Sequence, residues 1–504
     1  MSETPETLKR RTSTEPPGDT RTRTASTAAI TTTVEDRIPQ HPYMATNGRS
    51  NVHCDAFMSD TYEVAGPVNS NLYLKRGVMG GICVSITFNK SGQVLTLAVT
   101  PADNATNKAG DRTLVLADPI SLEKLATYSL PHGDPKDWGG AAYFYLNDKD
   151  QPVVSTTDLR VIFFAVKETP GTWPDGTPKT VYSFDPVKQY HLAATLQKAH
   201  GTNAPTDPST PIDSILSVVP DWLNRLWFVT TKGIVGYISP DAPIDDESTI
   251  HLTYRLPGEQ IYNSVATDFD GGVYVVSDTA LYRFDAVGNG APTLTWREEY
   301  ENTHVKKPGQ KAASSGTTPT LQNYKGRRYV SIADNANPMK VVVYRREARY
   351  PNPRKRFEFA PFPVDAGCTE NSLIGINNSI VVENNYGYAN PASIQGAGIT
   401  EPGLLRINFN EDGTGGAGWK EINPARAPSV VPKLSLQTGL VYTYQKKEDG
   451  WYFTAINFSD GQTAFEKYVG EGQALNSHYA GLHLSPEGRV YIGTFEGIVS
   501  LTQL

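Results

Sequence analysis

Short apolar runs separated by polar turn residues cover most of the chain. From about Ile82 onward, runs rich in β-branched, aromatic and aliphatic residues alternate with clusters of Gly, Asp, Asn and Pro, a pattern typical of short strands and tight turns. The clearest unit lies between Gln260 and Tyr300, where IYNSVATDF, GVYVVS, ALYRFDA and TLTWREEY are joined by DGG, DT and GNGAP. Four such strands in succession predict one antiparallel meander, which is a β-propeller blade.

The four-strand pattern recurs along the chain with a period of about 45 to 60 residues. The last repeat has only three strands, YAGLHLS, RVYIGT and GIVSLTQ. Because an open sheet edge favours aggregation, the missing strand is expected from the segment before Ile82, around Asn71 to Arg76. The sequence therefore predicts an all-β fold: a single β-propeller of eight four-stranded blades closed by an N-terminal strand. Seven blades is the alternative, if one repeat is divided wrongly.

One repeat is less regular than the others. It contains GGAAYFYLN, PVVSTTDLRVIFFAV, KTVYSFDP and HLAATLQ, and HLAATLQ is expected to be its last strand. The Pro- and Gly-containing segment from Lys167 to Lys179 is expected to be a surface loop. The pattern predicts no amphipathic helix between the blades.

Residues 1–38 are rich in Ser, Thr, Pro and Arg and almost free of large apolar residues, so they are predicted to form a disordered tail before a propeller domain at 39–504. No apolar stretch has the length of a signal-peptide core or a membrane span. The three cysteines are too widely spaced for a disulfide framework or a metal-binding pair. A cytoplasmic location is expected, without a membrane partner.

The net charge of the chain bears on its possible partners. The formal net charge is −7 at pH 7, which provides no general attraction to phosphate backbones. Nucleic acid is therefore not an expected partner. No GxSxG, P-loop, HExxH or paired CxxC motif is present in the sequence.

The phrases VYVVS, ALYRFDA and VYIGT followed by GIVSL resemble the propellers of the pyrroloquinoline-quinone type, the strictosidine-synthase-like proteins and the gluconolactonase/regucalcin family. The resemblance implies the propeller fold over most of the chain from Ile82. Tyr262-Asn263-Ser264 before VATDFDGGVYVVS is similar to the innermost-strand phrase of the last two families, which implies a metal-binding role for Asn263. Those families are typically six-bladed. The adjacent cysteines and repeated Trp-docking phrase of quinone-dependent dehydrogenases are absent, so that activity is the least favoured.

Polar residues precede the innermost strand of several predicted blades, and the starts of these strands gather around one mouth of a propeller channel. Asn-Ser pairs recur there at Asn263, Asn371 and Asn476. One interpretation is structural, because such side chains cap strand ends. The functional interpretation places amide oxygens beside charged neighbours, which suits Ca²⁺ or another divalent cation. The predicted metal ligands are Asn263, Glu370 and Asp213.

The same mouth supplies the predicted catalytic residues, Glu370 and His478, because a carboxyl group and an imidazole there could exchange protons with a substrate. Asn371, Asn476 and Thr317 are predicted to bind substrate. Asn384 and Tyr386 are also predicted to bind substrate, because residues 383–388 are expected to form a lid over the mouth. Packing without a functional role is the alternative for both His478 and this loop.

These residues predict a small-molecule enzyme with a polar pocket at the channel mouth, acting as a cation-assisted lactone hydrolase, lyase or isomerase. The alternative is a non-catalytic propeller scaffold that binds a protein partner. A deep polar pocket would favour catalysis, whereas a shallow channel beside an exposed apolar rim would favour the scaffold.

Overall fold

Eight β-sheets form a ring around a central channel in the computed structural model of the chain. The structure describes residues 24–100, 110–131, 143–201, 212–240, 242, 252–288, 290–391 and 400–504. In this part of the chain, regular structure is almost entirely β. The prediction of an eight-bladed propeller is confirmed, and the seven-bladed alternative is not.

Blades 1 to 4 each consist of four strands that follow one another in the chain. They are β3 (Ile82–Phe88), β4 (Val94–Val99), β5 (Arg112–Ala117) and β6 (Lys124–Ser129); β7 (Phe144–Leu146), β8 (Pro152–Ser155), β9 (Arg160–Thr172) and β10 (Pro178–His191); β11 (Ile215–Pro220), β12 (Leu226–Thr230), β13 (Ile234–Ile238) and β14 (Leu252–Arg255); and β15 (Ala266–Thr267), β16 (Val273–Val276), β17 (Ala280–Asp285) and β18 (Thr293–Glu299).

Blades 5 and 6 repeat this order, whereas blades 7 and 8 each gain a strand from the N-terminal region. They are β19 (Thr320–Tyr324), β20 (Arg327–Ala333), β21 (Val341–Arg345) and β22 (Lys355–Phe359); β23 (Ile374–Ile376), β24 (Ser379–Glu383), β25 (Leu404–Phe409) and β26 (Gly415–Ala417); β27 (Lys433–Ser435), β28 (Leu440–Lys447), β29 (Gly450–Asn457) and β30 (Thr463–Gly470) with β1 (Thr61–Tyr62); and β31 (Leu482–Leu484), β32 (Val490–Gly493) and β33 (Gly497–Gln503) with β2 (Leu72–Val78).

The ring closes through β2, the outermost strand of blade 8. It pairs antiparallel with β33, the last strand of the chain, from Leu72 opposite Gln503 to Val78 opposite Gly497. The expected closing strand near Asn71 to Arg76 is thus confirmed, shifted by one or two residues. This pairing removes the free edge that the three C-terminal strands would otherwise expose.

Blade 2 differs from its predicted form in two ways. The segment expected as its fourth strand contains a helix, α1 (Ala193–His200), because the run AATLQKAH consists mostly of residues that favour helices. The segment from Lys167 to Lys179 is not a loop. It belongs to a long hairpin in which β9 and β10 pair as far as Thr172 opposite Pro178. Within the described residues, no helix is long and apolar enough to cross a membrane.

Part of the predicted tail lies against the ring. Residues 1–23 are outside the described residues, but Thr24–Ile38 are described. The Ala28 and Ile30 amides donate to the carbonyls of Thr438 and Leu436 at 3.1 and 2.7 Å. These acceptors follow β27, so this segment runs along the face where the innermost strands end, the lower face. Contact with the propeller therefore begins before the expected boundary at residue 39.

The chain then enters the channel as a buried loop, Ser50–Tyr62, which we call the channel segment. Its carbonyl oxygens accept hydrogen bonds from the channel-facing edges of the innermost strands. Four backbone amides of these strands donate to it at 2.8–3.0 Å, in the order Thr267 to Ala56, Leu321 to Phe57, Gly375 to Ser59 and Leu434 to Asp60. Because these acceptors follow one another along the segment, it spirals past blades 4, 5, 6 and 7.

Charged side chains of the channel segment are compensated inside the channel. Asp60 forms a salt bridge with Lys433, and both side chains are fully buried. The Lys433 ammonium also donates to the Val52 carbonyl at 2.6 Å. His53 Nδ1 lies 3.1 Å from Asp60 Oδ1. A buried charge is tolerated only when it is paired and hydrogen-bonded, so these contacts hold the segment in one position.

The first prediction concerns this ion pair. Lys433→Met removes the ammonium group and leaves the Asp60 carboxylate buried with fewer partners, so we expect the free energy of unfolding to fall by about 3–5 kcal/mol. Urea unfolding followed by tryptophan fluorescence measures the loss. Lys420→Met is the control, because Lys420 is exposed. Equal unfolding midpoints for the two variants would contradict a stabilising role for the pair.

Candidate functional site

The mouth at the upper face, where the innermost strands begin, gathers polar and aromatic side chains. Tyr143 precedes β7, Thr318 precedes β19, and Ser372 precedes β23. The channel segment forms the floor, since His53 Nε2 lies 3.4 Å from Thr318 Oγ1 and 3.3 Å from Ser372 Oγ. The Tyr143 and His53 ring centroids are 6.4 Å apart. The mouth is therefore closed below by residues from the N-terminal region.

Glu370 lies at this mouth, as predicted from its position before an innermost strand. It is half-buried, and removal from water raises the pKa of its carboxyl group to about 7, against the opposing effect of the Lys311 charge and backbone N–H. Its charge in turn acts on Tyr143 and Tyr479. A carboxyl group with this pKa exchanges protons near neutral pH.

The loop that contains Lys311 and Gly316 packs closely against Glu370. A Cβ atom at Gly316 would lie 2.8 Å from Glu370 Oε1 and 2.8 Å from Glu370 Cα. Glycine is needed there because a Cβ atom would also overlap the Thr369 carbonyl oxygen, so any side chain would collide with the backbone before Glu370. Lys311, from the same loop, places its ammonium 5.0 Å from the centre of the Tyr479 ring, so a cation and a phenol flank the mouth.

A buried carboxyl group behind the mouth holds the Glu370 backbone. Glu383 accepts hydrogen bonds from Asn371 Nδ2 at 2.7 Å, Asn385 Nδ2 at 3.2 Å and Thr443 Oγ1 at 2.8 Å. Asn385 Oδ1 in turn accepts the Glu370 backbone N–H at 2.8 Å. Burial raises the pKa of Glu383 to about 8. Glu383 therefore positions the loop that carries Glu370.

His478 is also near the mouth, within an aromatic cluster. Its Nδ1 lies 2.8 Å from the Tyr388 hydroxyl, and its ring stacks on Phe495 with centroids 5.2 Å apart. Burial lowers the pKa of His478 to about 4, so the ring is neutral at pH 7. His478 and Tyr479 have φ angles of 40° and 64°. Strained backbone of this kind persists only where the surrounding structure enforces it.

The predicted substrate-binding residues have mainly structural contacts. Asn476 accepts hydrogen bonds from the His478 amide and the Tyr388 hydroxyl. Thr317 Oγ1 accepts the Ala333 amide at 3.0 Å and is fully buried. Asn371 donates to Glu383, while its Oδ1 has no hydrogen-bond partner. These contacts hold the walls of the mouth in place.

The predicted lid, residues 383–388, contacts the aromatic cluster of the mouth through Tyr388, and substrate binding by Asn384 and Tyr386 stays a prediction. Asn384 is buried and bonds to the Cys368 and Tyr386 amides and the Ala366 carbonyl. Tyr386 is half-buried. It is Tyr388 that reaches the aromatic cluster of the mouth, where it meets His478 and lies 5.4 Å from the Tyr479 ring centroid.

The three predicted metal ligands have separate partners. Asp213 Oδ2 lies 2.7 Å from His200 Nε2, and its Oδ1 accepts the Ser214 and Lys232 amides. Asn263 donates to the Ser315 carbonyl at 3.0 Å. Among the described residues, no group of three or more His, Cys, Asp and Glu side chains could hold a metal ion. Asparagine is not among these residue types, so a cation site formed by Asn263, Glu370 and Asp213 stays a prediction.

Several residues at the mouth were missed by the sequence analysis: Tyr143, Lys311, Tyr479 and the channel-segment residues His53 and Asp60. Lys311 lies in a loop without a strand pattern, and Tyr479 was included in the predicted strand YAGLHLS, whereas the strand of the structure begins at Leu482. The channel segment does carry a signal, because HCDAFMSD concentrates His, Cys and Asp in a stretch that no predicted blade uses. Its position inside the ring follows only from the tertiary structure.

The sequence comparisons assign this chain to no family. No protein-family profile matches the chain. An uncharacterised protein of Archaeoglobus fulgidus is 27% identical over 320 residues, which cover 57% of this chain and 61% of that protein. The chain thus spans less than two thirds of the length of this relative.

Three solved β-propeller structures are similar at low sequence identity. Sqt1 of Chaetomium thermophilum has a TM-score of 0.51 at 11% identity and covers 86% of this chain and 97% of its own. Quinohemoprotein alcohol dehydrogenase of Comamonas testosteroni has a TM-score of 0.49 at 12% identity, and the match covers 92% of this chain and 80% of the dehydrogenase. BamB of Moraxella catarrhalis has a TM-score of 0.44 at 12% identity, and the match covers 88% of this chain and 97% of BamB. At these identities the similarity concerns the fold alone.

The second prediction concerns Glu383. The pKa of the Glu383 carboxyl group is raised from 4.5 to about 8 in the folded protein, so between these pH values the folded protein keeps a proton that the unfolded chain releases. The stability that this proton contributes is therefore complete below about pH 4.5 and is lost as pH rises through about 8. We expect Glu383→Gln to reduce the fall in melting temperature between pH 5 and pH 9. Differential scanning calorimetry at both pH values measures this, with exposed Glu448→Gln as control. An unchanged pH dependence would contradict the assignment.

Proposed function

We propose that this protein is a small-molecule enzyme that acts on a carbonyl substrate, such as a lactone or ester, bound at the upper mouth of the channel. The observation that carries the proposal is the placement of the Glu370 carboxyl group at the closed mouth, next to Lys311 and within the electrostatic reach of Tyr143 and Tyr479. The proposal requires a concave polar surface at this mouth, which is the kind of site that binds small ligands.

In this proposal Glu370 acts in its neutral form. A protonated carboxyl group donates a hydrogen bond to the carbonyl oxygen, which gains negative charge in the transition state of acyl transfer. Lys311 adds positive charge at the same mouth. His478 is neutral at pH 7, and together with Tyr388 it forms one wall.

A second candidate function, a scaffold for a protein partner, is favoured by the long hairpin of blade 2. Beyond Phe163, β9 is paired with β10 alone, and Trp173 near the tip is 55% exposed. A two-stranded ribbon is marginally stable in water by itself, so a partner could bind there. This surface is separate from the mouth, and the two functions are compatible.

The third prediction concerns Glu370. We expect the wild-type protein to hydrolyse members of a panel of γ- and δ-lactones, followed as acid release in a pH-stat, with kcat/KM falling as pH rises through about 7 because the neutral carboxyl group is lost. Glu370→Ala should lower kcat/KM roughly 100- to 1,000-fold. Glu370→Gln keeps a weaker donor, so it should lose less activity and have no pH dependence near 7.

Glu448→Gln serves as the control, since Glu448 is exposed and distant in sequence from the mouth. Wild-type protein that leaves every lactone unchanged would refute hydrolysis as the reaction. Unaltered kcat/KM in Glu370→Ala would remove Glu370 from the mechanism.

A further inference from the structure

Three side chains from two distant parts of the chain meet at the floor of the mouth. Asp60 and His53 belong to the channel segment, and Ser372 precedes β23 of blade 6. His53 Nδ1 lies 3.1 and 3.2 Å from the two Asp60 carboxylate oxygens, and His53 Nε2 lies 3.3 Å from Ser372 Oγ. The three residues form a carboxylate–imidazole–hydroxyl series.

The surrounding contacts define the direction of these hydrogen bonds. Asp60 is paired with the Lys433 ammonium, so its carboxylate accepts and His53 Nδ1–H donates. This tautomer leaves a lone pair on His53 Nε2. Ser372 Oγ already accepts the Thr318 backbone N–H at 3.2 Å. The Ser372 hydroxyl proton is therefore free to be donated to His53.

A second hydroxyl also faces His53, but it is less accessible. Thr318 Oγ1 lies 3.4 Å from Nε2, and Thr318 is 1% exposed, whereas Ser372 is 6% exposed. Ser372 is also two residues after Glu370, in the loop that forms the mouth. Of the two residues whose hydroxyl groups face His53, Ser372 is therefore the more exposed.

We propose that Ser372 is a catalytic nucleophile, that His53 is its general base and that Asp60 is the positioning residue for His53, so that the protein is a serine hydrolase of small esters or lactones. This inference rests on the proposed function, because it requires a carbonyl substrate at the mouth. A nucleophile and base within hydrogen-bond reach, with the base oriented by a third group, is the arrangement that activates a hydroxyl group. The distance of 3.3 Å suits a site without substrate, where such bonds are longer.

The chemical steps balance within these residues and water. Ser372 Oγ forms a bond to the carbonyl carbon while its proton passes to His53 Nε2. The bond from that carbon to the leaving oxygen then breaks, and the leaving oxygen takes the proton from His53. Water gives a proton to His53 and attacks the acyl group, and the bond to Ser372 Oγ breaks as that oxygen recovers the proton. A lactone is thereby opened to its hydroxy acid.

The fourth prediction uses diisopropyl fluorophosphate as the probe. We expect one diisopropylphosphoryl group on wild-type protein by intact mass, located on Ser372 by tryptic mapping, and at least a tenfold lower labelling rate in Ser372→Ala. The control is Ser264→Ala. Ser264 occupies the matching Asn-Ser pair before β15, is buried, and bonds to Ser217 Oγ at 2.7 Å, so this variant should label like the wild type. Absence of labelling in wild-type protein, or labelling of another residue, would overturn the proposal.

A thiol variant covers the case in which Ser372→Ala fails to fold. Ser372→Cys should react with iodoacetamide at least tenfold faster than the three native cysteines, which are buried, because His53 promotes thiolate formation. Adding His53→Asn should slow this alkylation at least tenfold. Equal alkylation rates with and without His53 would show that the contact is only structural and would overturn its role as base.

The two proposals fail in distinguishable ways. Lactone hydrolysis that depends on Glu370 but persists in Ser372→Ala would leave the mouth as the active site and remove the serine mechanism. Labelling of Ser372 together with unaltered lactone hydrolysis in Glu370→Ala would keep the serine mechanism and remove Glu370 from the proposed function.

Discussion

The inward-facing edges of the innermost strands impose the constraint on which the rest of this structure depends. Each blade leaves one strand edge towards the channel, and its backbone N–H groups need acceptors. For blades 4 to 7 the channel segment supplies them, since Thr267, Leu321, Gly375 and Leu434 donate to carbonyl oxygens between Ala56 and Asp60. A charge buried in this segment needs a partner, and Asp60 finds one in Lys433 and in His53.

Stability and chemistry share these contacts. His53 is held by Asp60 on one side and faces Thr318 and Ser372 on the other. The hydrogen bonds that anchor the channel segment to blades 5 and 6 therefore also place an imidazole under the mouth. A base delivered by the N-terminal region is present only when the channel segment is inserted, so assembly of the proposed site is coupled to closure of the ring.

Burial rather than charge pairing sets the acid–base properties around the mouth. It raises the pKa of Glu370 to about 7 and of Glu383 to about 8, and it lowers that of His478 to about 4. At neutral pH Glu383 and His478 are therefore uncharged hydrogen-bonding groups, whereas Glu370 is close to the midpoint of its titration. Two carboxyl groups in such surroundings take different roles: Glu383, fully enclosed by amide and hydroxyl donors, orders the loop, while half-buried Glu370 remains open to a ligand.

Local pattern by itself determined the blades, their number and the closing strand near Leu72, because alternation and turn residues act within one meander and an unpaired last repeat requires a strand. It also placed Glu370 and His478 at the mouth, because every innermost strand begins on the same face. It failed for α1, where helix-forming residues follow a strand that is longer than expected. Only the tertiary structure decided the position of the channel segment, since the partners of His53 and Asp60 are more than 300 residues away in Ser372 and Lys433. Contacts across that separation arise from closure of the ring and leave no periodic trace in the sequence.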